Sequence, residues 1–216
     1  MPRPGRLAVG LTAFVLTLAL ASVVFLWKAL AWPDETGLVA SDPRAGLHVQ
    51  SVLAQLFLRE AGLTSRADPL VLTAAEVNAF LAGHVTVKDP PVWPVRVAIG
   101  PEGVELGGAT SLGRLTEAVF GSAPTRMLPG VVAGQSVWVT ARGQVAVTSP
   151  GRGEFRAHAA AIGRQRVPVA VLWRVLGGRP VALVWRMPRV VERVDAEPGR
   201  LLIRTRRPGR GPGVPG

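Results

Sequence analysis

VRVAIGPEGVELGG, residues 95–108, is the stretch that decides the fold. Apolar side chains fall at Val95, Val97 and Ile99, give way to Gly100-Pro101-Glu102-Gly103, and resume at Val104 and Leu106. A period of two on both sides of a glycine-bounded turn specifies an antiparallel hairpin with one buried face. The same period returns downstream. QSVWVTARGQVAVTS reads as two strands, around 137–140 and 145–148, and GEFRAHAAAI as another. In RVVERVDAEPGRLLIRTR, Val191, Val194 and Ala196 lead into a Glu197-Pro198-Gly199 turn, and Leu201 and Ile203 follow, which predicts a closing hairpin.

Upstream of residue 95 the period is helical. AGLHVQSVLAQLFLREAGL carries one apolar stripe at Val49, Val52, Leu53, Leu56 and Phe57, with Gly62 placed as a C-cap. LTAAEVNAFL, residues 72–81, follows. Its Thr73 and Glu76 have the N-cap to N3 spacing of a capping box, Leu72 and Val77 form the staple, and Gly83 stops the helix. Glu76 is therefore expected to satisfy backbone N–H groups rather than a substrate. Asn78 is left for solvent, for a neighbouring loop or for a ligand. SLGRLTEAVFG predicts a short helix, and RVPVAVLWRVLGG another, with Pro168 near N1 and Gly177 at its end. PVALVWRMP, from Pro180, resembles PVAVLWRVL, from Pro168, and its period leaves strand and helix both open.

The expected fold class is α+β: an N-terminal transmembrane helix followed by a curved antiparallel sheet packed with two to four helices. The divisions are a cytoplasmic stub and transmembrane anchor over 1–31, a linker over 32–44, an extracytoplasmic domain over 45–206, and a disordered basic Pro/Gly tail over 207–216. The anchor is LAVGLTAFVLTLALASVVFLW, from Leu7 to Trp27, 21 residues without a charge. As a helix it spans about 31 Å, enough for the ~30 Å hydrocarbon core. Arg3 and Arg6 precede it, while Asp34 and Glu35 follow, so the positive-inside rule puts the N-terminus in the cytoplasm. Trp27 and Trp32 mark the far interface. The rival reading is a cleaved leader, for which Ala29-Leu30-Ala31 and Ala19-Leu20-Ala21 both supply an A-x-A site. The expected location is the bacterial cytoplasmic membrane, single-pass, with the domain outside.

The chain of 216 residues is 48% hydrophobic, with net charge +11. It contains no cysteine, which removes disulfides, thiolate catalysis and cysteine metal sites. Almost all its cations are arginine, Lys28 and Lys88 being the lysines, and with 25 Gly and 19 Pro this composition reflects a GC-rich genome more than a nucleic-acid partner. A basic isoelectric point is only the first requirement of that assignment, and the topology carries the domain away from the cytoplasm; nucleic acid is not an expected partner. No G-x-S-x-G, S-x-x-K or Walker A motif is present, and no G-x-G-x-x-G in a strand–loop–helix setting. His48, His84 and His158 are dispersed, without a second ligand at metal spacing. Asp34/Glu35 and Asp195/Glu197 read as solvated loop acids. No cofactor and no catalytic residue are expected.

Together the anchor, the LTAAEVNAFL helix, the alternating strands, IGRQRVPVAVLWRVL and the VERVDAEPGRLLI hairpin resemble small exported bacterial proteins of the YpmS and LmeA type. That resemblance implies an extracytoplasmic α+β domain that binds lipid, and carries over no catalytic residue. Three functions stay open: a lipid or apolar-ligand binder, an envelope scaffold that docks proteins, and an envelope enzyme. For the first, the expected wall is Leu53, Phe57, Phe80, Trp93, Trp138 and Trp173, between sheet and helices. Setting aside Arg3, Arg6 and Lys28 leaves a net charge near +8 on the rest of the chain. Arg200, Arg204, Arg206, Arg207 and Arg210 crowd its end and are the expected contact for anionic lipid.

Overall fold

The computed structural model describes residues 44–84, 92–175 and 182–206, together with positions 14, 16, 17, 20–25, 27 and 28 of the N-terminal run. The linker over 32–43, the tail over 207–216, residues 85–91, and residues 176–181 with the expected helix stop Gly177 and Pro180 lie outside the described residues. Among the described residues no helix is long and apolar enough to cross a membrane, and the expected anchor is described only in part.

The fold is α+β, built on two antiparallel sheets. In chain order its elements are α1 (Ala45–Glu60), β1 (Leu70–Thr73), α2 (Ala74–His84), β2 (Val95–Gly100), β3 (Gly103–Ser111), α3 (Leu112–Phe120), α4 (Ser122–Arg126), α5 (Gly130–Ala133), β4 (Ser136–Ser149), β5 (Arg152–Ile162), β6 (Gln165–Val167), α6 (Val169–Val175), β7 (Ala182–Arg186), β8 (Val191–Glu197) and β9 (Arg200–Thr205). The large sheet runs β2-β3-β4-β5-β6, with β7 also on β5; the small one runs β1-β9-β8. This corrects the expectation of one curved sheet. LVLT, four residues too short to show a period, forms β1 and draws the terminal hairpin away into a separate sheet, pairing Leu70 with Ile203 and Leu72 with Leu201. Among the described residues of the domain, four helices have seven residues or more and α4 and α5 add single turns, which exceeds the expected two to four.

A second correction concerns residues 136–149, which form one strand of 14 residues rather than two. Gly143 is not a turn. It sits at a register shift next to Arg142, where β4 passes β5 too closely for a side chain: a Cβ there would lie 2.3 Å from the Arg156 carbonyl oxygen. Glycine lets the strand bend without ending it. PVALVWRMP, left open by its period, contributes Ala182–Arg186 as β7, which pairs Phe155 with Leu183.

The main core lies on one face of the large sheet. Val97 and Ile99 from β2, Val104 from β3, Val137, Val139 and Ala141 from β4, and Phe155 and Ile162 from β5 meet Leu112 and Leu115 of α3 and Leu172 of α6. A smaller core joins Val49, Val52 and Leu56 of α1 to Leu70, Leu72 and Val191 of the small sheet. α1 closes as the sequence expects: Gly62 has φ 69°, its N–H bonds the Arg59 carbonyl at 3.1 Å, and the Leu63 N–H reaches the Leu58 carbonyl at 2.9 Å. α2 continues through Gly83 to His84.

The large sheet has two ends. At one, which we call proximal, Ser111 pairs with Ser136, and the Gly163 N–H bonds the Trp138 carbonyl. The Arg164 N–H there donates to the Lys28 carbonyl at 3.0 Å, so the N-terminal run joins the domain at this end. The distal end holds the β2–β3 turn at Pro101 and Glu102 and the β4–β5 turn at Pro150 and Gly151. The nine residues of β3 separate the two ends by roughly 30 Å.

Candidate functional site

The LTAAEVNAFL motif folds into the expected capping box and extends beyond it. The Thr73 N–H and hydroxyl donate to Glu76 Oε2 at 2.7 and 2.9 Å, and the Glu76 N–H donates to Thr73 Oγ1 at 3.3 Å. The other carboxylate oxygen meets His48 Nδ1 of α1 at 2.7 Å. Burial pushes the Glu76 carboxyl upward, but the hydrogen bonds from Thr73 and the contact with His48 outweigh it and hold the group below its ordinary value of 4.5. Its native pKa thus lies below its unfolded one. The stabilisation is full above the unfolded value and fades as pH falls through the lower, native value. In denaturant titrations from pH 7 to pH 2.5, the stability gap between wild type and Glu76→Gln should therefore shrink through that acidic window. A gap constant with pH would show that the carboxylate's charge contributes nothing.

Asn78 has a partner that the sequence leaves open. Its Nδ2 donates to the Val97 carbonyl at 2.8 Å, and its Oδ1 accepts from the Val97 N–H at 2.7 Å. The side chain stands in for the missing neighbour of edge strand β2 and blunts an edge that would otherwise invite pairing. Asn78→Ala should lower the free energy of unfolding by about 1–3 kcal/mol, since both backbone groups lose a partner. Asn78→Asp should be at least as damaging, because a carboxylate faces the Val97 carbonyl. Urea unfolding of the two variants checks the order.

Arg59 continues the Val49, Val52, Leu56 stripe of α1 into the interior and is 3% exposed. Its Nη1 donates to the Asp68 carbonyl at 2.8 Å and to the buried hydroxyl of Thr205 at 2.7 Å. The spacing of the stripe was the available signal. A charged residue there reads as solvated until the fold places β9 over it.

The expected ligand wall does not assemble into one surface. Leu53 and Phe80 are half-buried against the smaller core, while Phe57 on the same helix as Leu53 is 62% exposed. Trp138 is 4% exposed and projects from the opposite face of β4 to Val137 and Val139, with its indole over Gly107. Trp93 is 39% exposed at the proximal end. Trp173 is described by its backbone alone, in α6.

Trp93 instead borders a cleft of about 310 Å³ with Thr110, Ser111, Arg114 and Ser136. A second cleft, about 440 Å³, lies at the distal end between β4 and β8 and is polar, with Glu102, Glu192, Arg193 and Asp195 on its walls. On the outer face of the large sheet, Arg142 spans Glu105 and Glu102 at 2.7 and 2.9 Å, and these carboxylates hold its guanidinium above the usual arginine range despite partial burial. Among the described residues no group of three or more histidines and acids is placed to hold a metal ion.

The C-terminal arginines are distal. The Gly199 N–H before Arg200 bonds the Ile99 carbonyl, and the Arg206 N–H bonds the Val190 carbonyl. Arg200 pairs with Glu197 at 2.7 Å and Arg204 with Asp195 at 3.2 Å; Arg207 and Arg210 lie outside the described residues. Their charge is therefore partly neutralised, and it stands roughly 30 Å along β3 from Lys28. No protein-family model, curated protein or solved structure matches this chain.

Proposed function

We propose that this chain is a single-pass protein of the bacterial cytoplasmic membrane whose α+β domain stands outside the cell membrane and binds a lipid or another apolar ligand, as a binding module rather than a catalyst. The observation that carries the reading is the N-terminal helix. Every described position between 14 and 28 is exposed, including Phe14 at 67%, Leu20 at 66% and Trp27 at 75%. A helix apolar on all sides needs an apolar surround, and the domain does not provide one. The uncharged length of 21 residues and the two preceding arginines supply span and orientation. The layout's resemblance to proteins of the YpmS and LmeA type agrees with this assignment.

For the ligand, the proximal cleft fits best among the described cavities. One indole edge, three hydroxyls and an arginine line about 310 Å³, the low end of small-molecule sites, and the amphipathic wall suits a lipid headgroup with the start of its acyl chains. Native mass spectrometry of residues 36–216 from a bacterial envelope fraction should show a lipid-sized adduct that Trp93→Ala loses while its unfolding transition is unchanged. A bare protein mass, with no uptake when phospholipid is offered, would defeat the ligand reading and favour a docking role for the distal cleft.

A further inference from the structure

The β3–β4 connection, residues 112–135, folds as α3, α4 and α5 and has two unlike sides. One is sealed: Leu112, Gly113 and Leu115 are buried on the main core, and a Cβ on Gly113 would lie 3.2 Å from the Ala133 Cβ, so α5 is clamped to the start of α3. The other carries Met127 at 86% and Val131 at 82% exposed, with Phe120 at 71%. Three large apolar side chains this exposed within one connection of the sheet mark it as a candidate contact surface.

The patch has a place. The connection leaves β3 at Ser111 and rejoins the sheet at Ser136, the proximal end. Arg164, whose N–H holds the Lys28 carbonyl, follows β5, two strands from β3, so the anchor's exit lies about 10 Å from the root of the connection. Among the described residues there, one sign is in excess: Arg114, Arg126, Arg164, Arg166 and Lys28 are exposed, against Glu117. The distal arginines of β9 stand several Debye lengths, about 8 Å each, beyond any surface that Lys28 touches.

We propose that the segment from α4 through α5 is an interfacial membrane contact: Met127, in the turn after α4, and Val131, in α5, enter the headgroup–acyl boundary of the bilayer that holds the anchor, while the surrounding arginines face anionic headgroups. The inference rests on the anchored reading above. It assigns the bilayer-facing role to the proximal residues rather than to Arg200, Arg204 and Arg206, and it seats the Trp93 cleft at the lipid surface.

Because the chain has no cysteine, M127C, V131C and S149C each carry one label. The full chain, labelled with an environment-sensitive fluorophore, is reconstituted into vesicles of phosphatidylethanolamine and phosphatidylglycerol, with or without lipid brominated near the headgroup end of the acyl chain. Flotation is read first. The expected result is a chain that floats with the vesicles, strong bromine quenching at positions 127 and 131, and almost none at the distal position 149. Floating vesicles with all three labels equally water-exposed overturn the interfacial contact and leave the anchor standing. Labels at 127 and 131 that are shielded from water but not quenched by brominated lipid also overturn it and identify a second copy as the cover. A chain that does not float overturns the anchored reading, and this inference with it.

Discussion

Arg59→Ala lowers the free energy of unfolding by about 3–5 kcal/mol, the largest stability loss expected of any charged residue in the domain. The guanidinium is 3% exposed and donates to the Asp68 carbonyl and to the hydroxyl of Thr205, 146 residues away. Hydrogen bonds from a charged donor contribute about 1.5–3 kcal/mol each, and truncation also leaves a cavity beside Val52 and Leu56. Arg59→Met retains most of the stem volume and should recover about half of the loss, because packing along the α1 stripe returns while the two acceptors stay unpaired. Chemical unfolding followed by tryptophan fluorescence measures both. Equal stability of wild type and Arg59→Ala would mean that the tie between α1 and the end of β9 carries no energy.

Under the proposed anchoring, Leu16→Asp combined with Leu20→Asp should move the full chain from the membrane to the soluble fraction. An aspartate near the centre of a spanning helix costs about 2.5–3.5 kcal/mol on the insertion scale, so the pair costs about 5–7 kcal/mol and shifts partitioning by roughly 10⁴-fold. Both positions are helical and exposed, at 64% and 66%, so the domain itself should keep its unfolding transition. Leu16→Ala with Leu20→Ala is the control and should leave the chain membrane-bound. A double aspartate variant that still sediments with membranes and resists carbonate extraction would show that residues 7–27 are not what holds it there.

The elements legible in the sequence were those whose information is local. The hairpin at residues 95–108 declared itself by period and turn, the capping box by its spacing, and the end of α1 by Gly62. What was not legible depended on partners far along the chain. LVLT becomes a strand because β9 arrives to pair with it, 130 residues later. PVAVLWRVL and PVALVWRMP are nearly the same string, yet one contributes α6 and the other β7, because β5 offers the second a free edge over residues 152–156. Gly143 reads as a turn until the crowding of Arg156 against it is known. The candidate wall failed to meet for the same reason: the residues were chosen for being large and apolar, and Trp138 and Val139, adjacent in sequence, face opposite sides of the sheet. Asn78 and Arg59 could be noticed in the sequence but not interpreted, since each acts on backbone or hydroxyl groups from another element.

The measurement that bears most directly on the anchored, outward-facing domain is single-cysteine accessibility in intact bacterial spheroplasts. G5C reports the stub and S149C the domain, each in the full chain, with a membrane-impermeant maleimide applied before and after lysis. The account predicts that S149C is labelled in intact cells and G5C only after lysis, both on a protein that retains its full length. Labelling of both positions only after lysis, or a labelled domain lacking its N-terminal residues, would contradict it.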